Sequence, residues 1–197
     1  MSPHVRLAIT AVLAVLLAAC AGRDFVRPAP ESLKNGQTTY KEVLAQFGDP
    51  YREGTVVKND KTVKTLGYAY ASVGGKPYRE GVTPARAIAF YFFDDVLVGH
   101  EFISSWAEDN SDFDEGKVKD VVKGKTTRAE VIALLGRPAG YYIFPLIKQQ
   151  PGEAAVYLYS ETRGSAFNLK FYRKLLLVTF DTSGVVTEVD FTSSGTK

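Results

Sequence analysis

Residues 36–50 read GQTTYKEVLAQFGDP, and residues 124–138 read GKTTRAEVIALLGRP. The two stretches lie 88 residues apart and agree at eight of fifteen positions: Gly36/Gly124, Thr38/Thr126, Thr39/Thr127, Glu42/Glu130, Val43/Val131, Ala45/Ala133, Gly48/Gly136 and Pro50/Pro138. At average amino-acid usage about one match is expected in a window this long. A duplicated supersecondary unit is the first inference, ahead of any assignment of helix or strand.

Each copy carries start and stop signals for a short helix. Thr39 with Glu42, and Thr127 with Glu130, have the T-x-x-E spacing of a capping box, in which the hydroxyl takes an orphan amide and the carboxylate reaches back to the cap amide. Glu42 and Glu130 also place negative charge at the positive end of the helix dipole. Apolar residues follow at helical spacing: Val43, Leu44 and Phe47 in one copy, Val131, Ile132, Leu134 and Leu135 in the other. Gly48 and Gly136 stand where a left-handed residue ends a helix, and Pro50 and Pro138 forbid continuation. Capping accounts for these shared polar residues, so Thr and Glu are read as structural rather than catalytic.

Strand-like runs follow in matching order. Residues 65–72 (TLGYAYAS) correspond to 154–161 (AAVYLYSE) with a one-residue ambiguity, 87–93 (AIAFYFF) to 175–180 (LLLVTF), and 96–105 (VLVGHEFISS) to 185–194 (VVTEVDFTSS). β-branched and aromatic residues dominate these runs, and Gly, Asp and Ser bound them. The expected fold class is α+β: two tandem two-layer units, each one or two short helices packed on a meander of about three antiparallel strands. The first spans 33–107 and the second 117–197, joined by an acidic linker at 108–116.

Residues 1–19 read as a leader. His4 and Arg6 form a basic start, residues 7–17 an apolar core too short to span a bilayer comfortably, and Leu17-Ala18-Ala19-Cys20 a cleavage site. Cys20 is the chain's one cysteine, so a disulfide within the mature chain is impossible. Residues 20–32 are Pro-rich and polar and read as a tether; the 12 residues after Cys20 reach at most roughly 40 Å. Removing Arg6 with the leader leaves 23 basic against 22 acidic residues. No Lys/Arg cluster interleaves with aromatics, which argues against nucleic acid.

Candidate chemistry is sparse, and no cofactor is expected. His100, the mature chain's one histidine, alternates with Val98 and Phe102 and reads as a packing residue. With one histidine, no cysteine nucleophile and no Gly-x-Ser-x-Gly, the common hydrolase constellations are missing. The stretch 108–115 (EDNSDFDE) invites a calcium reading through Asn110, Asp112 and Asp114. Its glycine falls at Gly116 and its twelfth position is Val121, so a solvated linker fits better and no metal site is assigned. Tyr141, Tyr142, Phe144, Tyr157 and Tyr159 are candidate protein-binding residues. If Val156 and Leu158 point inward, Tyr157 and Tyr159 lie on an uncovered sheet face; otherwise the rings fill a cleft between the units.

The repeated G-x-T-T-x-x-E-V-x-x-x-x-G-x-P, followed by a Tyr-x-Tyr strand, resembles the BamE (SmpA/OmlA) family of outer-membrane lipoproteins. The tandem form is similar to the β-lactamase inhibitory protein architecture, in which two such units form one long concave sheet. Leu-Ala-Ala-Cys resembles a bacterial lipobox, which implies diacylglycerol on Cys20, N-acylation and, with Ala21 next, sorting to the outer membrane. The resemblance implies a non-enzymatic, periplasm-facing protein that binds another envelope protein and supports envelope or outer-membrane protein assembly. The alternative is an inhibitor of a periplasmic or cell-wall enzyme. The family's shared positions are structural, so they carry over no partner-contact residue.

Overall fold

The structure is a computed structural model that describes residues 24–72, 74–164 and 167–196. The leader and the lipidation reading at Cys20 lie outside the described residues. Helix α1 (Tyr40–Phe47) precedes β1 (Arg52–Lys58), β2 (Lys61–Ala71), β3 (Ala85–Phe93) and β4 (Val96–Ser104). Helix α2 (Arg128–Leu135) precedes β5 (Gly140–Tyr142), β6 (Glu153–Arg163), β7 (Lys170–Phe180) and β8 (Val186–Gly195).

All eight strands form a single antiparallel sheet in sequence order. This corrects the expected pair of tandem two-layer units: the described residues are dominated by one sheet and carry two short α-helices and two 3-10 turns. The physical cause is β5. Tyr142 pairs with Gly99 of β4, and Gly140, Tyr141 and Tyr142 pair with Val156, Ala155 and Ala154 of β6. The Phe102 amide donates to the Ala139 carbonyl at 3.0 Å, and the Ala139 amide to Val156 at 2.6 Å. Edge backbone groups that would otherwise stay unpaired are thus satisfied by joining the two halves.

The repeated words recur as repeated hydrogen bonds. The Thr39 and Thr127 amides each donate to their Glu carboxylates, Glu42 and Glu130, at 2.7 Å. In return both threonine hydroxyls accept the Glu amides, completing the capping boxes. The Gly36 and Gly124 amides donate to Leu97 and Val186, tying each helix entry to the last strand of its half. The Tyr68 and Tyr157 hydroxyls donate to the carbonyls of Gly48 and Gly136 at 2.8 and 3.0 Å, which makes these tyrosines equivalent. Gly48 and Gly136 have φ of 76° and 81° with ψ of −158° and −164°. That region is open to glycine alone, and it is not the left-handed helical geometry expected of them.

Both helices lie on one side of the sheet. Val43 of α1 buries against Leu66, Tyr68, Ile88, Phe90, Phe92 and Phe102. On the same side, Val131 and Leu135 of α2 bury against Ala155, Tyr157, Leu176, Val178 and Phe180. Tyr157 and Tyr159 are 2% and 1% exposed, so neither offers surface for a partner. They share the phase of Tyr68, and the Tyr159 hydroxyl donates to Glu161 at 2.7 Å beneath the same cover. Val156 and Leu158 are also buried, on the opposite face, with Ala139, Ile103 and Leu175.

Two segments expected in solvent are built into the body. Within the expected tether, residues 24–28 pack onto the body, while residues 29–32 are exposed. Phe25 packs edge-on against Phe47 and Phe102, both at 6.4 Å. Arg27 donates to the Pro138 carbonyl, and Arg137 to the Pro28 carbonyl at 2.6 Å, so this stretch crosses the junction between the halves. The acidic linker is likewise not solvated. Arg86 of β3, 3% exposed, meets Asp109 at 2.9 Å and also pairs with Glu108. Lys174 of β7 meets Asp112 at 2.6 Å, and Asp112 pairs with Arg79 as well. Phe113 enters the helix-side core. Of the residues that suggested calcium, Asp112 is neutralised by Arg79 and Lys174 and Asp114 accepts the Gly116 amide at 2.9 Å, and among the described residues no acid, histidine or cysteine cluster could hold a metal.

Candidate interaction face

The sheet face opposite the helices is where an uncovered surface is found. In β2 and β3 small residues alternate with large ones: Gly67, Ala69 and Ala71 with Tyr68 and Tyr70, then Ala85, Ala87 and Ala89 with Ile88 and Phe90. Side chains alternate across a strand, so the large set packs under the helices and the small set floors the other face. The register pairs Gly67 with Ala89 and Ala69 with Ala87, placing the small residues side by side. A groove of about 720 Å³ runs over this floor, bounded by Ile103 of β4 and Ser160 of β6. A shallower extension of about 190 Å³ continues to Gly67, Ala89 and Glu101. Tyr51, 80% exposed, forms one wall of both.

Glu101 marks the inner end. The Tyr91 hydroxyl donates to its Oε1 at 3.2 Å, and the Tyr142 hydroxyl donates to Oε2. The two phenol rings meet edge to face at 5.5 Å. Burial, then the neighbouring Glu101 charge, pushes both phenols above the usual tyrosine range, so they remain donors. The result is a carboxylate held in one orientation beside apolar surface. It can accept a cationic or amide group without reorganising.

Beyond Glu101 the face is closed by residues 143–152. Leu146 sits so close over Gly99 that a Cβ there would lie 2.4 Å from it. The Asn59 side chain donates to Pro145 at 2.8 Å, and the Thr187 hydroxyl to Gln149 at 2.8 Å, so this strap spans from the β1–β2 turn to β8.

The five expected binding aromatics scatter. Tyr142 reaches the open face, Tyr141 packs on the helix side, and Phe144 is half-buried in the strap. Tyr157 and Tyr159 are interior. His100 is half-buried with Nδ1 unpartnered; burial, then Arg137 and Arg27, lowers its pKa to about 4. Glu101, Tyr91 and the small-residue floor were not anticipated. The period-two alternation of small and large residues in LGYAYA and ARAIAF is the signal that marks them.

No family model matches the chain, and no curated protein matches it. Among solved structures it is similar to a Streptococcus mutans protein whose crystal structure is named "putative beta-lactamase inhibitor protein". The identity is 13% and the TM-score 0.40, over 90% of this chain and 94% of that one.

Proposed function

We propose that this chain is a non-enzymatic lipoprotein of the outer membrane, facing the periplasm, that binds another envelope protein through the open face of its sheet. The observation that carries this reading is the Ala- and Gly-floored groove ending at Glu101. Apolar sheet surface left uncovered beside a fixed carboxylate suits a protein partner that fills the groove and sets a polar group on Glu101. The leader and the Leu-Ala-Ala-Cys sequence support anchoring through Cys20.

The test is a pulldown from detergent-solubilised membranes with wild type, Ala87→Asp and Glu101→Arg. Ala87 is half-exposed on the groove floor, so an aspartate there has access to solvent and leaves the helix-side core untouched. Both variants are expected to lose the partner; Ala87→Asp should keep the wild-type melting temperature, whereas Glu101→Arg should also lower it, because the Tyr91 and Tyr142 hydroxyls lose their acceptor. Full retention of the partner by both would overturn the reading. Recovery of outer-membrane assembly subunits fits a supporting role in envelope assembly; recovery of a single hydrolase fits an inhibitor instead.

A further inference from the structure

Three large apolar side chains stand in water at one hairpin tip. Phe167, Leu169 and Phe171 are 101%, 47% and 60% exposed, just where β6 hands over to β7. Lys170 and Arg173 beside them are exposed too. No other stretch of five described residues holds three exposed large apolar side chains. Leaving them in solvent is costly unless something covers them.

The position of the chain's start says what covers them. Asp24 is held 2.8 Å from Arg86, which pairs with Ser104 at the end of β3 and β4. That is the same end of the sheet as the tip. The Thr83 amide donates to the Thr162 carbonyl at 3.0 Å, and Val82 bridges to Arg163, the residue that pairs with Lys170 at the base of the hairpin. From β3 to β7 is four strand spacings, roughly 19 Å. Four peptide units separate Asp24 from Cys20, a reach of at most about 15 Å. The opposite end of the sheet is different in kind: its hairpin turns carry Asp60, Asp94, Asp95 and Asp181, and no residue of those turns or of the 143–152 strap is an exposed large apolar one.

We propose that the β6–β7 tip is a membrane-contact element, in which Phe167, Leu169 and Phe171 enter the interface of the bilayer that holds the acylated Cys20. This rests on the anchoring proposed above. Arg173 stands above the apolar trio at the depth of the lipid phosphates, and Lys170, within it, reaches the same depth by extending its long side chain. Two separated contacts, the lipid and the tip, stop the molecule swinging about its anchor. They stand the strands on the membrane and leave the groove opening sideways into the periplasm.

The experiment uses the full-length mature protein, with acylation at Cys20 read first by intact mass. Asn168→Cys and Ser183→Cys each receive an environment-sensitive dye, Cys20 being blocked as a thioether. The labelled proteins are reconstituted into phosphatidylethanolamine–phosphatidylcholine vesicles with brominated acyl chains. Strong quenching at 168, none at 183, and loss of quenching when Phe167→Ser and Phe171→Ser are added are expected. Acylated protein with no quenching at 168, or equal quenching at both positions, overturns the tip proposal and leaves the anchor standing. Shielding of 168 only after outer-membrane proteins are added assigns the tip to a protein partner and overturns it likewise. Absence of acyl mass on Cys20 removes the anchor reading and this proposal with it.

Discussion

Gly136 ends α2 in a backbone conformation that only glycine adopts without strain, and an added Cβ would meet nothing within 4 Å. Gly136→Ala therefore isolates the backbone cost from any clash. A loss of about 1–3 kcal/mol is expected in thermal or denaturant melts, and an unchanged melting temperature would show that the helix end can relax. His100 gives a pH dependence whose sign follows from its lowered pKa of about 4 against the ordinary 6.5. Between those values the unfolded chain binds more protons than the folded one. The associated stability is complete above pH 6.5 and is lost as the pH falls toward 4. The full effect is on the order of 3 kcal/mol. His100→Gln should flatten the profile between pH 4 and 6.5, and a parallel profile would mean that another group governs it.

The segment from 108 to 116 shows what packing adds to composition. Its nine residues, rich in Asp and Glu, read as solvated, because charge rarely goes inside without a partner. The partners, Arg86 and Lys174, sit 22 and 66 residues from Glu108 in sequence, at buried positions of β3 and β7. Nothing local joins these cations to the linker. Arg86→Met should cost about 3–5 kcal/mol, since Asp109 would stay buried without its cation. Arg86→Met with Asp109→Asn should recover much of that loss in urea melts; no recovery would place the cost in lost packing against Trp106, whose ring lies 4.6 Å from the guanidinium. The helices were legible because a capping box and a terminating glycine are local signals. β1 and β5 were not. β1 is exposed along its whole length and shows no alternation, and β5 has three residues, too few to show a period.

The joining of the halves was decided by β5 and by residues 24–28, neither of which declares itself by pattern. An eight-stranded sheet with helices on one side leaves the opposite face to be filled by a strap at one end and left open at the other. The orientation of β6 was the hardest part to read, because Val156, Tyr157, Leu158 and Tyr159 are all apolar enough for either face and all are buried. Only the equivalence of Tyr157 with Tyr68 fixes the phase, and it depends on a hydroxyl bond that composition does not reveal. Phe25→Ser should lower stability by about 2 kcal/mol through lost contact with Phe47 and Phe102. It should also raise protease cleavage near residue 24. Unaltered cleavage would mean that Arg27 and Asp24 hold the segment without the ring.

The same segment sets an order of events during folding. Arg27 finds its acceptor at Pro138, 111 residues later. The beginning of the described chain therefore locks late, after β4 has formed and the turn that follows α2 has supplied its carbonyls. Until then Phe47 and Phe102 lack their covering ring, and the folding protein carries its latch open.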